Sequence, residues 1–318
     1  MTSNSIKIIA ISGGIGGAKL ALGLDRIMPA SNLSIVANTG DDFEHLGLYI
    51  SPDVDTLLYT LAELNNTELG WGRRDESWNF AEAAAALGME TWFQLGDRDL
   101  ATHLYRSQRL RQGLKLSEVV DELRVKFGIA SQIIPMSDEP VRTTLRTSAG
   151  TLNFQEYFVK NRCEPVVQEI FYEGIQSATI TTQLLTALDD PELAAIVICP
   201  SNPFLSVQPI LELPGIKAKL GESNKPIIVV SPIIGGKSVK GPTSKLMQEL
   251  GLDCEVTSIA EIYKDIASDI IIDTADQSLV KDIKGTGLIA HTASIMMNKL
   301  QDKTSLAEKV LQIAISHS

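Results

Sequence analysis

The sequence predicts an α/β fold: a doubly wound, mostly parallel sheet with a smaller inserted subdomain. Three observations carry this expectation. Short apolar, β-branched runs recur without the polar alternation of half-solvated strands, as at residues 6–12 (IKIIAIS), 194–199 (AAIVIC) and 227–230 (IIVV). Such runs suit strands covered on both faces. Segments of helical period separate them and give two clusters of strand–helix units. Between the clusters, over roughly residues 66–180, the rhythm changes, and 132–180 carries β-rich runs such as 152–159 (LNFQEYFV). We read the whole chain, 1–318, as one domain with that insertion and one continuous core.

The elements follow in order. The first strand, 6–12, ends in Gly13-Gly14-Ile15-Gly16-Gly17, and residues 18–27 then have the spacing of an amphipathic helix. A second strand covers 33–37. A helix is expected over 54–64, with Pro52 before it and Asp53 as a candidate cap. Further helices are expected at 80–87, stopped by Gly88, at 100–112, closed by Gly113, and at 117–127, with Ser117 as cap and Gly128 as stop. After the insertion come strands at 194–199, 227–230 and 269–273 (DIIID), with helices at 244–250 and 258–266. A last helix, 305–315, is expected to pack on the surface. No internal repeat or low-complexity tract interrupts the series.

Composition narrows the function classes. With 44% hydrophobic and 21% charged residues, the chain is ordinary for a soluble globular enzyme. Its 28 Lys and Arg against 39 Asp and Glu give a formal charge of −11. No basic stripe appears, so nucleic acid is not an expected partner; Arg106, Arg109, Arg111 and Lys115 form only a local cluster. A protein of this charge that handles phosphates needs donors focused in one place. Cys163, Cys199 and Cys254 lack CxxC spacing, which argues against a zinc site or disulfide framework and for a reducing cytoplasm. Residues 1–7 are polar and run straight into a strand, so no signal peptide is expected. No apolar run approaches the length of a membrane span.

Candidate chemistry gathers at strand ends, where open parallel sheets bind ligands. Asn38-Thr39-Gly40-Asp41-Asp42 follows the second strand, and Ser51-Pro52-Asp53-Val54-Asp55 comes soon after. Clustered carboxylates repel one another and burial raises their pKa, so they make sense around a metal ion, a substrate proton or both. The glycine run at 13–17 allows close backbone approach and precedes a helix amino terminus that favours an anion. It lacks the Lys-Ser/Thr ending of a P-loop and serves equally as a tight strand-to-helix turn. Pro200-Ser201-Asn202-Pro203 and Ser231-Pro232-Ile233-Ile234-Gly235-Gly236-Lys237, the latter followed by Lys240-Gly241-Pro242, are further polar turns after strands. Each reads either as a phosphate or nucleotide contact or as a surface loop, and their convergence on one sheet edge favours the contact. Gly70-Trp71-Gly72-Arg73-Arg74 offers a ring to stack on, and arginines to pair with, a planar or anionic ligand. Gly96-Asp97-Arg98-Asp99 reads equally as a cap for the helix after it. Of the histidines, only His45 lies near the carboxylates in sequence.

Taken in order, GGIGGAK, NTGDD, GLYISPDVDTLLYTLA, GWG, GDRDLATH, IIPMSDEPVRT, FQEYFV, PSNP, SPIIGGK and KGP resemble the 2-phospho-L-lactate transferase family (CofD-type), over roughly residues 6–297. The resemblance implies a Rossmann-like fold with a smaller subdomain, Mg²⁺ as cofactor and commonly a homodimer. It implies transfer of a phospholactyl or phosphoenolpyruvyl group from a GMP-activated diphosphate donor to the terminal ribityl hydroxyl of 7,8-didemethyl-8-hydroxy-5-deazariboflavin. GMP is released, and the product belongs to coenzyme F-420 biosynthesis. Matched to the family's motifs, Asp42 and Asp55 are expected to hold the metal, orient the acceptor hydroxyl or accept its proton. Asp42 and Arg74 are the expected acceptor-binding residues. Gly13, Gly14, Gly16, Gly17, Ser201, Asn202, Gly235 and Gly236 are expected to bind the donor nucleotide and its phosphates.

Two other readings stand beside this one. A related gluconeogenesis-factor group shares the core and would make the chain a nucleotide-sensing regulator without turnover, but the Gly-Trp-Gly and FQEYFV segments resemble the transferase. A plain NAD-dependent oxidoreductase is disfavoured because the glycine motif is irregular. A paired-Asp turn also stands where that fold carries a single acid.

Overall fold

A computed structural model describes residues 6–317 apart from Leu69 and Lys240. The expectations for Lys240 and for residues 1–5 therefore lie outside the described residues. The first half begins β1 (Lys7–Ser12), α1 (Gly14–Ile27), β2 (Leu33–Ala37), a small hairpin of β3 (Phe43–His45) and β4 (Leu48–Ile50), and α2 (Pro52–Leu61). Then come α3 (Asn79–Ala86), α4 (Asp97–Arg111), α5 (Leu116–Lys126) and β5 (Gln132–Pro135). An antiparallel three-stranded sheet follows, with β6 (Arg142–Thr147) between β7 (Gly150–Asn153) and β8 (Val167–Glu173). The second half runs α6 (Thr182–Leu188), β9 (Leu193–Ile198), α7 (Gln208–Leu211), α8 (Ile216–Ser223), β10 (Ile227–Val230) and a short hairpin, β11 (Ile233–Ile234) with β12 (Lys237–Ser238). It ends α9 (Thr243–Glu249), α10 (Val256–Tyr263), β13 (Asp269–Asp273), α11 (Val280–Ile283), β14 (Ile289–Ala293) and α12 (Leu300–Ser316).

The seven strands of the central sheet are ordered β14-β13-β10-β9-β1-β2-β5. Every pairing within it is parallel. This is the doubly wound, Rossmann-like architecture expected. Period-2 alternation divides each strand between two cores: Ile8 and Ala10 of β1 face α1, α2 and α12, while Ile9 and Ile11 face the opposite layer with Ile210 and Ile259. The strand order reverses between β1 and β9, so the turns after these two strands open a crevice at their carboxyl ends.

Several local expectations change. Helix α1 starts at Gly14, inside the glycine run. The cap before α5 is Lys115, with Glu118 accepting from its backbone, and Ser117 lies within the helix. Residues 152–159 leave β7 and turn through a π-helical segment, Glu156–Lys160, because Tyr157 is drawn into a core with Leu145, Val167 and Leu246. β5 lies within 66–180 yet pairs with β2 in the central sheet. Strand β14 is half-exposed at the sheet edge and carries His291 and Thr292, which hid it from a reading based on apolar runs. The last helix is longer than expected and deeply packed: Leu306, Val310 and Ala314 are buried. At its crossing with α1, a Cβ on Gly23 would lie 2.2 Å from the Lys303 carbonyl oxygen. Among the described residues, no helix is long and apolar enough to cross a membrane.

One buried carboxylate ties this last part of the chain down. Asp269 at the start of β13 is wholly buried, with His291 Nε2 2.6 Å from one oxygen and His317 Nε2 2.8 Å from the other. Ser268 Oγ donates to it at 2.7 Å. Burial works to raise this carboxyl's pKa, but the bonds from His291 and Ser268 and the nearby His317 outweigh it and hold it below the usual value. A lowered carboxylate stabilises the fold above its unfolded-state pKa, and that contribution is lost as pH falls through the folded value. Asp269→Asn keeps the shape and removes the charge. Denaturant unfolding at pH 6 is expected to show a loss of about 3–5 kcal/mol, shrinking below about pH 4, where wild type protonates as well.

Candidate functional site

The acid motif folds into a buried cluster at the end of β2. Asn38 is fully buried, and its amide nitrogen lies 3.1 Å from Asp41 Oδ1 and 2.9 Å from Asp53 Oδ2. The Asn38 side-chain oxygen accepts from Gly40 N at 2.8 Å, which fixes the amide's orientation. Asp53 sits in the first turn of α2 but does not cap its own helix. Its other oxygen accepts from Gly14 N at 2.6 Å, at the start of α1, where the helix dipole favours a negative charge. The same exchange occurs nearby: Asp97 in α4 accepts from Asn79 N and Phe80 N of α3, and Glu76 accepts from Arg98 N and Asp99 N of α4.

Burial pushes the Asp41 carboxyl well up, and the charges of Asp53 and Asp42 push it further. Burial alone drives Asp53 up to about 6 against the bonds from Asn38 and Gly14. It drives Asp42 up to about 7 against Arg142, Ser51 and Tyr49. Around the pair, the hydroxyls of Ser12, Thr39 and Thr143 are buried with no hydrogen-bond partner among the described residues.

A cleft of about 690 Å³ opens over this cluster. Its lining includes a polar, glycine-rich set: Gly13, Gly14, Gly16 and Lys19 from the start of α1, Pro200, Ser201 and Asn202 after β9, and Ser231 and Thr243. It also includes five rings, Trp71, Trp92, Phe93, Phe154 and Phe158. Asp41, Asp53, Ile295 and Met297 belong to the same lining.

The expected site residues divide on this map. Gly13, Gly14, Gly16, Ser201 and Asn202 line the cleft. Gly17 is buried behind it: a Cβ there would lie 2.5 Å from both Ser12 Oγ and Ser201 Oγ. The amides of Gly13 and Gly14 already serve Ser201 Oγ and Asp53, so this turn first holds protein groups together. Asn202 spends its side chain on Phe204 N, Leu205 N and the Thr243 hydroxyl. Gly235 and Gly236 form the turn between β11 and β12, with Asp276 accepting from Gly235 N, and neither is among the lining residues. Arg74 is exposed beside Asp75 and does not line the cleft, whereas Gly70 and Trp71 of the same loop do.

Asp42 and Asp55 lie behind the lining. Asp42 accepts from Tyr49 Oη at 2.8 Å and Ser51 Oγ at 2.7 Å. Asp55 accepts from both terminal guanidinium nitrogens of the fully buried Arg106, one of them at 3.1 Å, with His103 alongside. His45 packs edge-on against Trp92, ring centroids 5.2 Å apart, and burial lowers its pKa. Sequence reading offered Trp71 as a stacking ring but missed the other four, because they are scattered from 92 to 158 and converge with it only in space. It also passed over Lys19, which shares one helix face with Ile15 and Gly16.

Comparison with known proteins agrees with this picture. Residues 8–313 match the model of a family described as 2-phospho-L-lactate transferase CofD. The 2-phospho-L-lactate transferase of Methanocaldococcus jannaschii is 38% identical over 96% of this chain and 97% of its own. That of Methanosarcina mazei is 37% identical over 96% and 99%. The phosphoenolpyruvate transferase of Streptomyces griseus is 34% identical over 97% and 98%. A crystal structure of a UPF0052 family protein from Bacillus halodurans shares the fold, with a TM-score of 0.61 at 14% identity over 96% of this chain and 99% of that one.

Two expectations follow from the buried acids. A carboxyl raised above its ordinary pKa binds its proton more tightly in the fold than in the unfolded chain. Its stabilising proton is therefore held below the unfolded value and lost as pH rises through the folded one. In chelator, stability is expected to decline from about pH 4 to pH 7 and then level. Asn38→Ala, which leaves the two carboxylates without the donor between them, should cost more at pH 8 than at pH 5 in paired denaturant titrations. Asp55→Asn strands the Arg106 charge and is expected to lose about 3–5 kcal/mol in the same measurement.

Proposed function

Because the chain belongs to the 2-phospho-L-lactate transferase CofD family, we propose that it joins a phosphorylated three-carbon acid to a deazaflavin alcohol. The donor is a GMP-linked diphosphate of phospholactate or phosphoenolpyruvate. The acceptor is the terminal ribityl hydroxyl of 7,8-didemethyl-8-hydroxy-5-deazariboflavin, and GMP leaves as the phosphodiester forms. The observation that carries this reading is a single cleft whose lining combines two chemistries, five aromatic rings and a glycine-rich polar set, with a carboxylate pair. The rings suit a planar tricyclic acceptor. The polar set suits a phosphorylated donor.

The residues fit a divalent cation. Asp41 and Asp53 offer oxygen donors on either side of one amide nitrogen, and the hydroxyls of Thr39 and Thr143 are buried nearby with no partner among the described residues. Among the described residues, no three His, Cys, Asp or Glu side chains form a closed metal cage. Mg²⁺ is commonly held by one or two carboxylates with substrate phosphates and water completing its shell. When bound, it supplies charge neutralisation at the phosphoryl oxygens.

The chain's own groups do the rest. Asn38 sets the two carboxylates, and the Gly14 amide orients Asp53. The acceptor oxygen attacks the phosphorus bearing the three-carbon acid, the bridging P–O bond to GMP breaks, and the hydroxyl proton passes to a carboxylate oxygen of the pair. The roles expected of Asp42 and Asp55 thus pass to Asp41 and Asp53, because these line the cleft while the former two buttress it.

The test is turnover with the deazaflavin alcohol, Mg²⁺ and the lactyl and enolpyruvyl donors in parallel, read by product mass. A phosphodiester from either donor supports the reading and identifies the three-carbon unit. Tight nucleotide binding without product from either donor would favour the sensor alternative. Asp41→Asn and Asp53→Asn are each expected to lower kcat by roughly 10²–10⁴-fold with cooperative unfolding retained. Wild-type turnover in either variant removes that residue from the mechanism.

A further inference from the structure

The segment between β7 and β8 brings more than rings to the cleft. Phe154 and Phe158 stack on one another, with centroids 5.4 Å apart and planes 21° from parallel, and both line the cleft. Tyr157, fully buried, anchors the turn between them in its own small core, and Lys245 Nζ donates to its hydroxyl at 3.2 Å. Gln155 belongs to the same lining, although only 5% of it is exposed. Polar groups enclosed to this degree are placed by the partners they find.

The two ends of the Gln155 amide meet different surroundings. Its nitrogen donates at 3.4 Å to Asp41 Oδ2, the carboxylate oxygen that Asn38 does not hold. A carboxylate only accepts, so the nitrogen faces it and the amide oxygen is turned elsewhere. That oxygen has no hydrogen-bond partner among the described residues, yet it is not enclosed as Thr39 Oγ1 and Thr143 Oγ1 are. The open space that Gln155 borders is the cleft. At 3.4 Å the bond to Asp41 is also a long one, and it does not by itself account for an amide held so deep. A ligand hydroxyl donating to the free oxygen completes the group.

We propose that Gln155 binds the ribityl chain of the acceptor, its oxygen accepting from a hydroxyl that does not react while its nitrogen holds Asp41. This rests on the transferase reading above. One short segment then offers rings to the flat part of the acceptor and an amide to its hydroxylated chain. The ribose of the donor nucleotide carries hydroxyls as well, but a phosphate separates it from the reacting phosphorus. In the ribityl chain the next hydroxyl sits on the carbon adjacent to the reacting one, within reach of a group bound to the acid pair. Gln155 thereby makes the enzyme select a polyol over a simple alcohol.

The experiment is calorimetric titration of wild type and Gln155→Leu, in chelator and again with GDP and Mg²⁺, alongside thermal unfolding without ligand. Two acceptors are compared, the ribityl deazaflavin and an analogue whose side chain keeps only the terminal hydroxyl. GDP and 2′-deoxy-GDP are titrated separately. Gln155→Leu should weaken the ribityl compound roughly three- to ten-fold and bind the analogue within about two-fold of wild type. Both nucleotides should keep their wild-type affinity. Unchanged affinity for the ribityl compound in Gln155→Leu would overturn the proposal. So would equal loss of both deazaflavins, since Gln155 would then serve Asp41 alone. A loss of GDP affinity that 2′-deoxy-GDP escapes overturns it too, by giving the amide to the donor's ribose. If Gln155→Leu fails to fold, Gln155→Met carries the same comparison. A wild type that binds neither deazaflavin in either condition brings down the transferase reading, and this proposal with it. A wild type that binds the ribityl compound, beside an indifferent Gln155→Leu, brings down this proposal alone.

Discussion

Two carboxylates buried against one amide set the terms for the rest of the structure. Asp41 and Asp53 come from different elements, one after β2 and one from the first turn of α2, and Asn38 holds both. Like charges at this depth repel, so the surrounding fold has to counter the repulsion from several directions. The start of α1 does so through the Gly14 amide, Arg142 acts on Asp41 and Asp42, and Arg106 takes the charge of Asp55. Each of these groups depends on a separate packing decision. α1 must enter straight from β1 to bring its first amide to Asp53. α4 must lie against β4, with its side chains bonded to α2, so that Arg106, with no exposure at all, reaches Asp55.

The central sheet was legible because its strands are covered on both faces and so are written as uninterrupted apolar runs. The edge strand β14 was not, since half of it faces solvent and its sequence, IAHTA, looks like a loop. The glycine run was legible as a turn but not as to what it approaches. The tight contacts of Gly16 and Gly17 are with the Pro200 carbonyl and the Ser12 and Ser201 hydroxyls, which are protein atoms. Residues 152–159 misled for a related reason. Their aromatics suit a strand, yet Gln155 turns towards Asp41 and Tyr157 into a separate small core, which is possible only if the backbone coils.

Within the acid cluster, the sequence put Asp42 and Asp55 forward, whereas Asp41 and Asp53 are the ones that line the cleft. Spacing alone places Asp53 and Asp55 on nearly opposite sides of one helical turn, and nothing local decides which side meets the cleft. That is settled by Arg106, some fifty residues later, which claims Asp55 and leaves Asp53 to the cleft. The aromatic lining presents the same difficulty in larger form, because its rings come from two separate excursions, around 71–93 and 154–158. Those excursions meet at the rim through Lys160, which lies over the Trp92 ring at 5.6 Å and near Glu90 at 3.8 Å.

The tie at Asp269 gives the end of the chain an unexpected reach. Its two imidazole partners sit at residues 291 and 317, so one carboxylate pins both ends of the stretch that holds Ile295 and Met297 against the cleft. That stretch behaves as a bow strung from a single post. Between the two fastenings, Asp273 steadies the near end through the Ile295 amide at 3.0 Å, and α12 lies along α1. Histidine 317 is therefore not an idle tail residue. For anyone trimming or fusing this protein at its carboxyl side, an edit that displaces His317 slackens the wall of the cleft from more than twenty residues away.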